Sequence, residues 1–353
     1  MHQLDDASFV TRLDPKGMYA LTCDFPNQCR RALEIARSVD LRNEDYRPTF
    51  VMLTGLGGSA AGGDFAKALF DEHGAVPFSV NRDYHLPKWV GPETLVFCAS
   101  YSGNTEETLS AYAGAKAAGA MVIAVTSGGK LAEMARADGY PVVTIPGGQP
   151  PRTALGFMMV PIIVVSERLG LIPPQDYNHV FAGLDDCVTS WGVDAPYHYN
   201  IAKKLAETLQ GKLSVIYGLG GWQAIVANRW KGQINENAKN MTFANAFPEL
   251  NHNEILGWVK AYGQGVARWV ALILEDGSES EKMKARARVT TDLIRGVCEV
   301  HNVEIHGETL LAKMMNLTLL GDYVSLYLAA LNEVDPENID SINVLKQELA
   351  QIA

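Results

Sequence analysis

Residues 50–58 read FVMLTGLGG, and residues 213–221 read LSVIYGLGG. In both stretches an apolar run typical of a buried strand ends in Gly-Leu-Gly-Gly, and a helical pattern follows. Glycines at the end of a strand permit a tight turn and the close approach of a ligand to the backbone. The recurrence indicates an internal repeat, and it predicts two α/β units of one design.

Further short apolar runs alternate with helical patterns around each copy. The strands expected after the first copy are 76–80, 94–99, 121–126 and 141–145, and those after the second are 241–247, 269–275 and 303–306. This alternation predicts the α/β class, with mostly parallel sheets that are flanked by helices. The predicted organisation is a helical lead-in (1–48), a first domain (49–165), a helical connector (166–210), a second domain (211–335) and a C-terminal helix (336–353).

Length and charge narrow the class of protein. The chain has 353 residues, which is a length typical of two domains or of one large domain. Its formal net charge is −10, and this acidity argues against a nucleic-acid binder, which needs a concentrated basic face. A small anionic ligand remains compatible with the charge, because a few local donors are enough to bind a phosphate.

Five cysteines at irregular spacing, without a CxxC pair, argue against a disulfide framework or a zinc site. We therefore expect a cytoplasmic protein. The N-terminus lacks the apolar segment of a secretory signal. The longest apolar run, 154–165, contains Pro161 and is too short to span a bilayer, so no membrane contact is expected.

Two charged stretches in the second half predict no binding site. His301 and His306 are five residues apart, and on a strand that spacing places them on opposite faces, so no metal site is predicted. The stretch 275–288 is rich in charge and predicts a solvated loop followed by a solvated helix face.

The most informative motif is SYSGNTEET at 100–108, where a predicted strand ends and a helix begins. Ser100, Ser102 and Thr105 crowd around Gly103, and hydroxyls together with backbone N–H groups at a helix start make a neutral cradle for a phosphate. The alternative is simple helix capping. One capping residue would satisfy that need, so the three hydroxyls favour a ligand site.

The first Gly-rich loop has two alternative interpretations. Residues 55–60 also satisfy the dinucleotide pattern G-x-G-x-x-A, with Asp83 as the acidic residue after the next strand, so a nicotinamide dehydrogenase is a rival. Against it, the second copy has Gln223 where the pattern requires a small residue. The loop is also compatible with a turn that binds nothing.

The motif SYSGNTEET resembles the sugar isomerase (SIS) fold, whose members bind phosphosugars. With PPRTALG (150–156), GQINENAK (232–239) and PELNHNEI (248–255), the chain resembles the bifunctional phosphoglucose/phosphomannose isomerases from about residue 50 to its C-terminus. The resemblance implies two tandem SIS domains and a homodimer. It also implies a cofactor-free enzyme that interconverts glucose 6-phosphate and mannose 6-phosphate with fructose 6-phosphate.

The resemblance also implies roles for individual residues. The phosphate would be bound by a set on the first domain: Gly58, Ser59, Ser100, Ser102 and Thr105. Glu236 would be the base that moves a proton between C2 and C1, and Arg152 would stabilise the charge of the cis-enediolate. His252, donated by the other subunit, would open the sugar ring with help from Lys346 on the C-terminal helix, which would close the active site.

Each of these side chains also has an interpretation without function. Glu236 is compatible with a surface carboxylate, His252 with a polar loop histidine and Arg152 with a surface arginine. A sugar-phosphate sensor with the SIS fold and no turnover is the second functional hypothesis, since a sensor needs no acid or base. The dehydrogenase is the third.

Overall fold

The computed structural model describes residues 2–349 and residue 351. The chain divides into two compact units. The first unit comprises residues 24–182 with 309–312, and the second comprises 2–23, 183–308 and 313–349. Residues 2–23 therefore group with the second sheet and residues 24–48 with the first. The domain boundaries expected from the sequence stay a prediction.

The described residues up to 191 form eight helices and five strands. In chain order they are α1 (Ala7–Thr11), α2 (Met18–Cys23), α3 (Phe25–Ser38), β1 (Phe50–Thr54), α4 (Gly57–His73), β2 (Phe78–Asn81), β3 (Thr94–Ala99), α5 (Glu106–Ala117), β4 (Met121–Thr126), α6 (Gly129–Ala137), β5 (Val142–Thr144), α7 (Leu155–Arg168) and α8 (Tyr177–Trp191). Two 3₁₀ turns, Gln3–Asp5 and Pro151–Thr153, accompany them.

From 192 to 349 the described chain forms six helices and four strands. They are α9 (Ile201–Leu209), β6 (Leu213–Gly218), α10 (Gly221–Ala238), β7 (Thr242–Ala246), α11 (Glu254–Val259), β8 (Trp269–Glu275), α12 (Glu281–Ile294), β9 (Glu299–Glu304), α13 (Leu310–Leu331) and α14 (Asp340–Leu349). Two more 3₁₀ turns are Glu249–His252 and Val266–Arg268.

The first unit is built on a five-stranded parallel sheet in the order β2-β1-β3-β4-β5. All six residues of β3 are buried, as expected of a parallel strand that is covered on both faces. The chain runs from β1 outward to β2 and then back past β1 to β3. The loops after β1 and β3 therefore flank a topological switch point, where open α/β sheets bind ligands.

The second unit repeats this layout with four parallel strands in the order β7-β6-β8-β9. Trp258 of α11 and Ile294 of α12 pack with the sheet residues Tyr217 and Ile273 in one buried cluster. The loops after β6 and β8 flank the corresponding switch point. The sequence prediction of parallel sheets flanked by helices is confirmed in both units.

The last strand differs from its prediction. The sequence predicts a strand over 303–306, whereas β9 spans Glu299–Glu304. Only Val303 of its six residues is buried, because β9 lies at the edge of the sheet beside β8. A mostly exposed polar strand lacks the apolar run on which the prediction depended. His301 lies on this strand, and His306 lies beyond its end.

Helix α13 is long and apolar. By length and composition it could cross a membrane, with a mean hydropathy of 1.3, but the whole of that apolar window is buried inside the protein. This burial is what a core helix shows.

Candidate active site

The loops at the first switch point carry the predicted phosphate ligands. Ser59 lies in the first turn of α4, and its Oγ accepts a hydrogen bond from the Tyr101 backbone N–H at 3.1 Å. Ser100 follows β3 and is 1% exposed. Its Oγ lies 2.8 Å from Thr105 Oγ1 and accepts the Gly103 N–H at 3.1 Å. These contacts join the loop after β3 to the start of α4.

The hydroxyls are not used as ordinary helix caps. Thr105 is the residue before α5, yet its hydroxyl pairs with Ser100 and not with the first turn of the helix. Ser102 is exposed, and its Oγ accepts the Asn104 N–H at 3.2 Å. Since one hydroxyl of the Ser100–Thr105 pair donates to the other, the second keeps a proton for a ligand. This arrangement favours the cradle over the capping interpretation.

Arg152 lies beside this cradle. It belongs to the 3₁₀ turn Pro151–Thr153 and is 7% exposed, so it is not a surface arginine. A Cβ added to Gly58 would lie 2.9 Å from the Pro151 carbonyl oxygen and 3.6 Å from Arg152 Cα. The start of α4 and the Arg152 turn are therefore in direct backbone contact, and this contact requires glycine at position 58.

Glu236 lies near the end of α10 and is half-buried. A polar seam holds this helix against α13. Arg229 donates to Asp322 at 2.9 Å, Gln233 donates to the other oxygen of the same carboxylate at 2.9 Å, and Asn237 donates to Ser325 at 2.9 Å. Because Arg229, Gln233 and Asn237 are four residues apart, they share one face of the helix.

The seam is unusual because it buries a charge. Asp322 is 7% exposed, and burial raises the pKa of its carboxyl although Arg229 and Gln233 favour the ionised form. A buried carboxylate whose side-chain partners lie on one neighbouring helix favours one alignment of the two helices. It therefore helps to fix the rotation of α10, the helix that carries Glu236.

The amides that flank Glu236 have structural partners. Asn235 donates to the carbonyl oxygens of Lys231 at 2.7 Å and of Thr242 at 2.8 Å, and it accepts the Thr242 N–H at 3.4 Å. Asn235 thus ties α10 to β7. These hydrogen bonds fix the helix that carries Glu236.

His252 and Lys346 lie on separate elements of the second unit. His252 ends the 3₁₀ turn between β7 and α11, at the predicted strand-to-helix junction, and it is exposed. Lys346 lies on α14, where the residues from 341 to 348 are all exposed. Within the described part of the chain, neither side chain has a hydrogen-bond or ion-pair partner.

The structure therefore brings part of the predicted site together. The residues gathered at the first switch point are Gly58, Ser59, Ser100, Ser102, Thr105 and Arg152. Glu236, His252 and Lys346 lie on α10, a 3₁₀ turn and α14 of the second unit.

The second switch point corrects one prediction. The sequence predicts a solvated loop at the start of the stretch 275–288, but Asp276 is 6% exposed and pairs with Lys313 at 2.6 Å. The helix face that follows is exposed at residues 281, 282, 286 and 288, as predicted. Burial opposes ionisation of Asp276, yet its pKa lies below the ordinary value because Lys313 and Ser278 donate hydrogen bonds to it. Glu279 accepts hydrogen bonds there from Gln223, at 3.0 Å, and from the Asp276 N–H, at 2.8 Å. Spacing alone gave no signal for this cluster, because Lys313 comes from a distant helix.

The family models match both halves of the chain. Residues 49–146 match the SIS domain, and residues 198–349 match the bacterial phospho-glucose isomerase C-terminal SIS domain. The fold of both units is therefore that of SIS domains, as the resemblance implied.

Solved structures show the same fold at low sequence identity. A hypothetical protein from Thermus thermophilus superimposes with a TM-score of 0.77 and 17% identity, covering 99% of this chain and 93% of that one. The tagatose-6-phosphate ketose/aldose isomerase of Escherichia coli superimposes with a TM-score of 0.71 and 16% identity, covering 91% and 95%.

Curated relatives are much more similar in sequence. The bifunctional phosphoglucose/phosphomannose isomerase of Caldicellulosiruptor bescii is 43% identical over 340 residues, which is 95% of this chain and 99% of the relative. The protein of the same name from Aquifex aeolicus is 34% identical over 86% of this chain and 91% of its own length. With this identity over nearly its whole length, the chain belongs to the family of bifunctional phosphoglucose/phosphomannose isomerases.

Proposed function

We propose that this protein is an aldose–ketose isomerase that interconverts glucose 6-phosphate, and also mannose 6-phosphate, with fructose 6-phosphate. The observation that carries the proposal is the hydroxyl-lined switch point of the first sheet, in a chain that matches the Caldicellulosiruptor bescii isomerase nearly end to end. The two curated relatives are named as isomerases, and this favours the isomerase over the sensor and the dehydrogenase.

The phosphate binds at the first switch point. Ser59, Ser102 and the hydroxyl of the Ser100–Thr105 pair that keeps its proton supply donors, and the backbone near Gly58 supplies N–H groups at the start of the 17-residue helix α4. The partial positive charge of that helix end favours an anion. A cradle of neutral donors explains how a chain with a net charge of −10 binds a dianion without a lysine.

The chemistry begins with ring opening. His252 and Lys346 transfer protons so that the ring oxygen gains a proton and the C1 hydroxyl loses one, which gives the open-chain aldehyde. The helix α14, which carries Lys346, closes the site over the sugar. The proposed reaction uses no metal or cofactor.

Isomerisation then needs one base and one charge stabiliser. The Glu236 carboxylate removes the C2 proton, the C–H electrons form the C1–C2 double bond, and the carbonyl electrons move onto O1. The guanidinium of Arg152 stabilises the resulting cis-enediolate. The hydroxyl proton of O2 then passes to O1, the O2 electrons form the C2 carbonyl, and the C1–C2 double-bond electrons take the proton back from Glu236 at C1, which gives open-chain fructose 6-phosphate. Rotation about C2–C3 lets both C2 epimers present their proton to the same base.

The active unit is a homodimer in the cytoplasm, in which His252 serves the partner's site. Two observations support the assembly: His252 is exposed, and its side chain has no partner among the described residues. All five cysteines lie among the described residues and none forms a disulfide, which supports a reducing compartment.

A coupled assay on fructose 6-phosphate tests the function, with glucose 6-phosphate and mannose 6-phosphate measured separately. We expect both products from the wild type, and a loss of at least about 100-fold in kcat for Glu236→Gln. Glu281→Gln, at an exposed acidic residue of α12 in the same unit and outside the proposed site, is the matched control and keeps its activity. Binding of the substrate without turnover by the wild type would indicate a sensor. Formation of only one of the two products would refute the proposal that the enzyme is bifunctional.

Mixing two inactive variants tests the shared site. Glu236→Gln and His252→Ala, refolded together, give heterodimers in which one of the two sites has both residues intact if His252 crosses the interface. We expect the mixture to regain a substantial fraction of wild-type activity. A mixture as inactive as its components would place both residues in a site within one chain.

A further inference from the structure

The helix α3 buries a glutamine on its apolar face. The residues that it buries include Phe25, Gln28, Cys29, Ala32, Leu33 and Ala36. This spacing is that of an amphipathic helix, and Gln28 is the polar member of the stripe, at 1% exposure. A primary amide is costly to bury unless both of its ends are hydrogen-bonded, so its partners are informative.

Both ends of the Gln28 amide bind the backbone of the turn that carries Arg152. The side-chain NH₂ donates to the Thr153 carbonyl oxygen at 2.9 Å, and the side-chain oxygen accepts the Gly156 N–H at 2.7 Å. Thr153 directly follows Arg152, and Gly156 lies in the first turn of α7. One planar side chain therefore fixes the distance between the turn and the helix that follows it.

Helix α3 packs closely against the 150–156 segment, so this segment has little room to move. A Cβ at Gly156 would lie 2.8 Å from the Gln28 side-chain oxygen and 2.9 Å from Cys29 Sγ. On its other side, the turn abuts Gly58 at the start of α4. The Arg152 turn is thus held between the helix of the phosphate cradle and the Gln28 amide.

We propose that Gln28 is a positioning residue for catalysis, which holds the 150–156 segment so that Arg152 meets the charge of the enediolate. The inference rests on the proposed role of Arg152, and it gives the N-terminal segment a part in the reaction. Arg152 acts on a charge that exists only after proton removal, whereas the phosphate cradle acts on the bound substrate as well. Loss of positioning should therefore lower kcat and leave KM nearly unchanged.

A double-mutant cycle tests the proposal. Gln28→Met keeps the length and shape of the side chain and removes both hydrogen bonds. We expect its kcat on fructose 6-phosphate to fall by about 10- to 100-fold, as a displacement near 1 Å in an active site can cause. KM should stay within about threefold. In an Arg152→Met background, Gln28→Met should cause almost no further loss, because its effect is transmitted through Arg152.

Controls separate positioning from stability. Cys29→Ala changes the neighbouring residue, which is also fully buried against Gly156, and should lower stability while kcat stays within about twofold. Competitive inhibition by inorganic phosphate, at an unchanged Ki, reports a folded cradle in each variant. If Gln28→Met does not fold, Gln28→Glu, which keeps the acceptor for the Gly156 N–H, replaces it in the same cycle.

Three results would overturn the inference. A wild-type kcat in Gln28→Met, or a loss that multiplies with that of Arg152→Met, removes the positioning role and leaves the role of Arg152 intact. A loss of kcat in Cys29→Ala as large as that in Gln28→Met makes the effect one of packing. A wild-type kcat in Arg152→Met refutes the proposed role of Arg152 itself, and the inference with it.

Discussion

The two switch points of this protein have the same topology and opposite chemistry. In the first, the loop after the third strand carries hydroxyls, and Ser100 pairs with Thr105 at the start of a helix. In the second, the equivalent loop carries carboxylates, of which Asp276 pairs with Lys313. Both crevices follow from strand order alone. Because the side chains after the third strand differ in this way, we expect the first crevice and not the second to bind the phosphate.

Burial and charge make the second switch point unsuitable for a phosphate. Glu279 accepts a hydrogen bond from Gln223 in the first turn of α10, so a carboxylate of the protein already takes the side-chain amide at that helix start. Glu275 lies at the end of β8, and burial raises the pKa of its carboxyl. A phosphate bound at the second switch point would be repelled by these nearby carboxylates.

The largest expected effect comes from making the first switch point resemble the second. Ser102→Asp places a carboxylate on the exposed part of the cradle, where it should still fold. Two like charges about 4 Å apart repel by about 4 kcal/mol at an intermediate dielectric, so kcat/KM should fall by roughly 10³-fold, mainly through KM. Steady-state kinetics on fructose 6-phosphate measures this loss.

Ser102→Asn is the matched control, because it has the shape of Asp without the charge. We expect a loss of about 10-fold, from the missing hydroxyl donor alone. Equal losses in the Asp and Asn variants would show that no phosphate lies at this loop.

The second-largest expected effect is on stability, and it concerns Asp276 at the second switch point. Asp276→Asn removes the charge partner of Lys313, so the free energy of unfolding should fall by about 1–3 kcal/mol while KM is unchanged. Because the pKa of Asp276 is lowered, its stabilisation is present above its ordinary pKa of 3.8 and is lost as the pH falls through the lower value.

Urea unfolding at pH 7, 5 and 3 measures this dependence. The difference between the wild type and Asp276→Asn should be full at pH 7 and should narrow below about pH 4. A difference that does not change with pH would mean that the carboxylate charge of Asp276 contributes nothing. A raised KM would mean that the second switch point takes part in substrate binding.

The smallest expected effect comes from alanine substitutions at matching positions of the two Gly-Leu-Gly-Gly copies. A Cβ at Gly58 would press on the backbone of Pro151, whereas a Cβ at Gly221, the corresponding glycine, meets nothing within 4 Å. Gly58→Ala should therefore lower kcat by about 10-fold, through a displaced Arg152 turn. Gly221→Ala should keep kcat and gain about 0.4–1 kcal/mol of stability.

Circular dichroism melts and kcat measurements on the two alanine variants check this pair. The reverse pattern, a tolerant Gly58 and a sensitive Gly221, would contradict the contact between the start of α4 and the Arg152 turn. It would also indicate that the Gly-rich loop used in the reaction is the second Gly-Leu-Gly-Gly copy.

The sequence predicted the sheets because their strands carry strong local signals. The apolar run 94–99 and the runs at 121–126 and 269–275 coincide with β3, β4 and β8. It misplaced β9, whose edge position leaves a polar sequence. The hydroxyl cluster could also be found, since all its members except Gly58 and Ser59 lie within six consecutive residues.

Other parts of the site were beyond the reach of sequence patterns. Gln28 and Arg152 are more than a hundred residues apart, and the only local signal of Gln28 is one amide on an apolar stripe. Asp276 was expected to be solvated, because nothing near it in sequence indicates Lys313 on α13.

The sequence by itself determined the repeat, the parallel sheets, the hydroxyl loop and the family, because periodicity and contiguous motifs are local properties. Only the tertiary structure decided which polar groups are buried and what satisfies them: Gln28 against the Arg152 turn, Asp322 against Arg229, and Asp276 against Lys313. The physical reason is that burial and pairing arise between distant segments, and the cost of an unsatisfied buried group makes those pairings specific.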